Sequence, residues 1–256
     1  MPVPLTVPAG DTRLHAVDEP GGPPALLFLN GAFATLRDWD PVIARLAGRY
    51  RTVRFDARAR GRSGTSADYS LPTAVADTGR VIEAAGLQRP VLVGWSLGAT
   101  IAVRYAAAHP GEVAGLVLVD GAYPIAMMDP AARERARAQF RRVGWMMRIL
   151  AAFGRSARMS PAQAADVVIG QDAVNGALGP DFAALDGPAA FVVGTGPHSG
   201  APADEMRAMR AAAADAVAAS PRVSVFATVP ANHVQILRRA PETVAAAIDD
   251  VVRRSA

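Results

Sequence analysis

Short apolar runs alternate with longer stretches of helical periodicity along this chain. Residues 5–7, 12–17, 25–29, 91–93, 115–119, 189–193 and 223–227, with the run that starts at Val53, read as strands. The first two are the weakest, and Ala9-Gly10-Asp11 turns the chain between them. Residues 39–46, 73–84, 99–106 and 203–219 repeat apolar positions at helical spacing, and a last helix follows His233. Asp38 is the expected cap of the first of these, and Gly86 the stop of the second. Strands that alternate with helices predict a mainly parallel sheet. Strands that are apolar throughout predict cover on both faces. A ligand site then belongs at the carboxyl ends of the strands, where Asn30, Ser96, Asp120 and His233 all fall.

Between Tyr123 and Asp186 the pattern changes. No strand is evident, and residues 131–143, 145–153 and 161–169 read as helices rich in arginine, alanine and methionine. Tyr123, Met127, Met128, Trp145, Met146 and Met147 could wall an apolar pocket or simply pack these helices onto the core.

The most informative chemistry is Gly94-Trp95-Ser96-Leu97-Gly98, set between the 91–93 strand and the 99–106 helix. A serine in so tight a turn has a strained backbone and a hydroxyl lifted clear of the sheet. The following helix points free N–H groups and its positive end at any negative charge that forms there. That is a nucleophile with half of an oxyanion hole. His233 is one of four histidines. It can accept the serine proton and return it to a leaving group. His15 and His109 have ordinary places in a strand and at a helix end.

Three further segments complete a pattern. The 25–29 strand ends in Asn30-Gly31-Ala32-Phe33, and the Val53 strand runs into Asp56-Ala57-Arg58-Ala59-Arg60-Gly61-Arg62-Ser63. Asn232-His233 precedes the last helix. On Gly94–Gly98, Asp56-Ala57-Arg58 with Gly61 and Ser63, Asn30-Gly31 and His233, in that order, the chain resembles the α/β-hydrolase family over nearly its whole length. Its Asn30-Gly31 start and Arg58-rich loop look most like enol-lactone hydrolases. Family members normally carry His-Gly where Asn30-Gly31 stands here.

The resemblance implies an eight-stranded, doubly wound α/β sheet with an inserted helical lid. The hydrolase core would comprise residues 1–122 and 187–256, and the lid residues 123–186. It implies oxyanion donors at the Leu97 and Ala32 N–H groups. Asn30, Phe33 and Trp95 would join Tyr123, Met127 and Trp145 at the substrate, with Asn30 supporting either the loop or the substrate. Asp56 and Arg58 read as structural, through turn bonds and an ion pair.

The acid that orients the histidine is the open member. Much of the family places it after the strand that here ends at Val193, but Gly194-Thr195-Gly196-Pro197-His198 holds no carboxylate. Some relatives place it after the sixth strand, where Asp120 stands. An aspartate there can also merely cap a turn. Asp204 is the other candidate, though it resembles a helix N-cap.

Composition changes this picture little. The 256 residues suit one α/β domain with an insertion. There is no cysteine, which excludes disulfides and thiol nucleophiles. All 27 basic residues are arginine, and a net charge of +4 is too small and dispersed to argue for nucleic acid. No apolar run approaches a membrane span and no signal peptide is evident, so a cytoplasmic protein without a membrane partner is expected. The expected activity is cofactor- and metal-independent hydrolysis of an ester or lactone of a small-to-medium apolar substrate through an acyl-serine. The alternatives are C–C hydrolysis or perhydrolysis with the same triad, and a ligand-binding receptor on a hydrolase fold.

Overall fold

Alternate residues of each central strand feed two different cores. In β3 (Gly22–Leu29), Leu27 and Leu29 pack on one side of the sheet, Leu26 and Phe28 on the other. The two-residue period of a strand sends neighbours to opposite faces, so a continuous apolar run needs helices on both. The computed structural model describes residues 1–153, 156–196 and 203–256, with the side chains of 203–206 excepted.

The eight strands run in the order β1-β2-β4-β3-β5-β6-β7-β8. They are β1 (Val3–Ala9), β2 (Thr12–Glu19), β3, β4 (Tyr50–Phe55), β5 (Val91–Trp95), β6 (Gly115–Val119), β7 (Ala189–Gly194) and β8 (Val223–Val229). The first two pairings, β1 with β2 and β2 with β4, are antiparallel, and all the others are parallel. The chain goes from β3 to β4 on one side and then crosses to β5 on the other. This reversal opens a crevice at the carboxyl ends of β3 and β5.

Helices α1 (Asp40–Leu46), α2 (Leu71–Ala84) and α3 (Leu97–Ala108) follow β3, β4 and β5. Thr35, not Asp38, caps the entry to α1: a single turn, Leu36–Trp39, precedes it, and Asp38 returns its carboxylate to the Thr35 N–H. Helix α3 is buried on nearly every side, as its unbroken apolar sequence requires. Helix α9 (Pro241–Arg254) is two-faced, burying Val244, Ala247, Ile248 and Val251 at helical spacing.

Between β6 and β7 lie α4 (Pro130–Ala152), α5 (Pro161–Asn175) and the short α6 (Gly179–Ala183). The two helices expected over 131–143 and 145–153 are one, running straight through Gly144. A glycine there lowers helix propensity, but here it serves packing: a Cβ would sit 2.5 Å from Cγ of Pro161, the first residue of α5. Helix α7 (Ala203–Ala219) precedes β8, and α8 (Ile236–Arg239) precedes α9. Among the described residues no helix is long and apolar enough to cross a membrane.

Candidate active site

Ser96 makes the turn from β5 into α3 at φ 55°, ψ −117°. A non-glycine residue holds such a conformation only at a cost of about 1–3 kcal/mol, which the surrounding structure must offset. The neighbouring backbone leaves no room for relaxation. A Cβ on Gly98 would lie 2.1 Å from the Leu29 carbonyl oxygen. Gly98→Ala is therefore expected to push α3 off β3 and destabilise the fold by about 1–3 kcal/mol, read as a lowered Tm in thermal denaturation. A Tm equal to that of the parent protein would contradict this packing.

Serine is a good helix cap, yet Ser96 makes no capping bond. Its Oγ lies 2.9 Å from His233 Nε2. His233 Nδ1 lies 2.8 Å from Asp120 Oδ2. The three residues come from the ends of β5, β6 and the loop after β8. Trp95 holds the histidine loop in place. Its indole packs against the imidazole at 5.7 Å between centroids, and its Nε1 donates to the His233 carbonyl oxygen at 3.2 Å.

Asp120 is buried, and its second oxygen is occupied as well. Oδ1 accepts from the Tyr123 hydroxyl at 2.7 Å and from the Gly194 N–H at 3.1 Å. Burial pushes this carboxyl up. The bond and charge of His233, with the Tyr123 and Gly194 donors, outweigh that and hold it below its ordinary value. Burial and the neighbouring Asp120 push the Tyr123 phenol well above its ordinary range, so Tyr123 remains a proton donor. A depressed carboxyl stabilises the fold at neutral pH, and that contribution is lost as pH falls through the lowered value. Tyr123→Phe removes one of its donors. The variant is expected to lose about 1–3 kcal/mol at neutral pH in urea unfolding, with a smaller loss at acid pH once Asp120 is protonated. Equal destabilisation at both pH values would show that the hydroxyl does not act through the charged carboxylate.

The N–H groups of Leu97 and Ala32 have no acceptor among the described residues. The former opens α3, and the latter lies in the loop after β3. The Ala32 loop is tied down from below: Arg60 Nε donates to the Ala32 carbonyl oxygen at 2.8 Å, and Nη2 donates to the same atom. Asn30 anchors its start. Its Nδ2 donates to the Phe55 carbonyl oxygen at 2.7 Å, and its Oδ1 accepts from Trp39 Nε1 at 2.9 Å. Asp56 closes the loops with bonds from the Leu36 and Arg62 N–H groups, and Arg58 pairs with Asp77 at 2.7 Å.

Several expected pocket residues have other work. Asn30 gives one amide N–H and its carbonyl oxygen to Phe55 and Trp39, which ties down the loop, and it also lines the cavity beside Gly31 and Leu97. Tyr123 is buried beneath Asp120 and stacks on Phe191. Trp95 is 8% exposed and belongs to the core on the α1 and α9 face. Trp145 is 67% exposed on α4 and does not line the cavity beside Gly31 and Leu97. Phe33 is half-buried against Phe140 of α4, 5.7 Å between ring centroids. Met127 is half-buried, with its N–H bonded to Asp172 at 2.6 Å. The Asp204 side chain and His198 lie outside the described residues.

Phe140, Arg60 and the paired donors on Asp120 escape sequence reasoning. The clearest available signal was Gly194, whose Cβ would stand 3.2 Å from Asp120 Oδ2. A glycine at the end of a buried strand marks the approach of another group.

A strained serine between strand and helix, a histidine on its hydroxyl and a buried aspartate behind the histidine coincide with a profile match for the alpha/beta hydrolase fold over residues 24–165. The chain belongs to the α/β-hydrolase family. It is 36% identical over 106 residues to a pimeloyl-[acyl-carrier protein] methyl ester esterase of Methylococcus capsulatus, a match spanning 41% of this chain and 40% of that protein. The chain spans two fifths or less of the length of the curated relatives it matches. Among solved structures it is similar to the enol-lactonase of Burkholderia xenovorans LB400, with TM-score 0.72, 19% identity and 96% and 98% of the two chains covered. A thermophilic esterase of Thermogutta terrifontis is similar at TM-score 0.74 and 21% identity, covering 100% and 99%. At such identities these hydrolase structures share the fold, and function has to be argued from the site.

Proposed function

We propose that this α/β hydrolase cleaves an ester or lactone through an acyl-Ser96 intermediate. The observation that carries this reading is the unbroken line of hydrogen bonds from Asp120 through His233 to Ser96 Oγ. His233 Nε2 takes the Ser96 proton as Oγ attacks the carbonyl carbon. Charge on the carbonyl oxygen is received by the free N–H groups of Leu97 and Ala32. Collapse expels the alcohol, which takes the proton from His233. Water, deprotonated by the same nitrogen, then attacks the acyl-serine, and collapse of that adduct frees the acid and returns the proton to Ser96. Asp120 keeps the imidazole proton on Nδ1 and stabilises the imidazolium in both halves.

The empty position after Val193 was the reason to consider a receptor without turnover. Asp120 lies 2.8 Å from His233, on the neighbouring strand, with the Gly194 N–H bonded to it, and this supports turnover over the receptor reading. The Ester Bond named for the Methylococcus capsulatus relative favours the ester reading. Helices α4 to α6, within residues 123–186, would be the lid, with Phe33 and Phe140 as its apolar contact with the oxyanion loop.

A panel of activated esters and lactones of graded acyl length, run beside a serine-reactive phosphonate, tests the assignment. Turnover of at least one class together with stoichiometric phosphonylation is expected. Labelling without turnover of any ester or lactone would move the reading to another chemistry on the same residues.

A further inference from the structure

Arg60 is a buried cation with no carboxylate paired to it among the described residues. It is 4% exposed. Nε donates to the Ala32 carbonyl oxygen at 2.8 Å, Nη2 donates to the same oxygen, and Nη1 donates to the Arg58 carbonyl oxygen at 2.7 Å. No ion pair to it exists among the described residues. Arg58, two residues earlier, is paired with both Asp77 and Asp11. Burial without a carboxylate pushes the Arg60 guanidinium down to about 10. Charges are rarely buried unless paired, because the lost hydration has to be replaced.

The side chain also has donors to spare. A guanidinium carries five N–H groups. The three bonds leave one on Nη1 and one on Nη2. Arg60 lines a cavity of about 40 Å³ together with Tyr69, Ile101, Gly31 and Leu97. Gly31 and Leu97 border the place where the attacked carbonyl oxygen would sit. Asp77 also lines this cavity, but it is held between Arg58 and Arg80, so the lining keeps a net positive charge.

We propose that Arg60 is the anion-binding end of the substrate pocket, and that the substrate carries a carboxylate a short distance from its scissile carbonyl. This rests on the hydrolase reading of Ser96. The carboxylate takes the two free N–H groups and supplies the missing counter-charge. The cavity is otherwise lined largely by apolar side chains such as Leu29, Phe55 and Ile101, so the guanidinium is the group in it that would fix a charged end of the substrate. Arg60 also clamps the Ala32 carbonyl, so the group that binds the anion is joined to the loop that bears an oxyanion donor.

The test compares the mono-4-nitrophenyl ester of glutaric acid with 4-nitrophenyl pentanoate. The wild type is expected to favour the anionic ester by about 10- to 100-fold in kcat/KM, the scale of a charge-assisted hydrogen bond. Arg60→Met should slow both substrates, because the Ala32 clamp is lost, and should bring their ratio to about one. The ratio separates anion recognition from loop positioning. Calorimetric titration with glutarate gives a readout independent of turnover: binding to the wild type, weakened at least ~10-fold in Arg60→Met. If Arg60→Met does not fold, glutarate should still compete with the anionic ester on the wild type more strongly than pentanamide does. A wild-type preference for the neutral ester, an unchanged ratio in Arg60→Met, or glutarate that neither binds nor competes would overturn the proposal. Hydrolysis of the neutral ester with no anion effect removes the subsite alone. Arg60-dependent glutarate binding without turnover of any ester removes the hydrolase reading alone.

Discussion

Ser96→Ala is expected to lower kcat by at least ~10³ and to abolish phosphonate labelling while leaving the fold intact. The size follows from the arrangement. His233 Nε2 has Ser96 Oγ at 2.9 Å, so removal of the hydroxyl leaves the base without its nucleophile. The side chain makes no capping bond to α3, so alanine costs that helix nothing. Alanine still occupies the strained backbone position, and the Tm should change little. Residual hydrolysis would come from water held by the oxyanion donors and His233. Undiminished labelling of the variant would place the nucleophile elsewhere.

The second large effect belongs to Asp120. Asp120→Asn is expected to reduce kcat by roughly 10²–10⁴ with little change in KM. Asp120 Oδ1 receives two donors, from Tyr123 and Gly194. An asparagine must therefore keep its carbonyl oxygen at that position and turn its NH2 toward His233 Nδ1. The imidazole then accepts at Nδ1 and carries its proton on Nε2, facing Ser96 Oγ. In that tautomer it cannot remove the serine proton. Steady-state kinetics of the variant check this, beside Asp204→Asn, which should stay near the parent rate. A normal Asp120→Asn rate with an impaired Asp204→Asn would assign the acid to Asp204.

What could be read from the sequence was what depends on local pattern. Apolar runs at strand length and glycines around Ser96 specify the sheet and the turn, because both are dictated by residues close in the chain. The order of Ser96 and His233 after their strands was legible for the same reason. Asp120 remained one of two candidates, since its selection depends on Gly194 from β7 and His233 from beyond β8 meeting it in the fold. The pocket was read least well. Tyr123, Trp95 and Trp145 look alike as apolar residues near the site. Only the fold shows that the first bonds the acid, the second packs under the histidine loop and the third faces solvent. Arg60 was hidden by its neighbours: an arginine in an arginine-rich loop reads as a solvated charge, and its burial under Ala32 is a tertiary event. The single α4 was misread because Gly144 weakens a helix locally, while its packing against Pro161 is non-local.

The central claim is a covalent acyl group on Ser96, joined to His233 and Asp120. Peptide mass spectrometry of protein quenched in acid during turnover of a slow activated ester tests it most directly. The account predicts the acyl mass on the peptide that contains Ser96, absent in Ser96→Ala and accumulating if a His233 variant is acylated but cannot activate water. Turnover with no acyl mass on that peptide, or the mass on another residue, would contradict it.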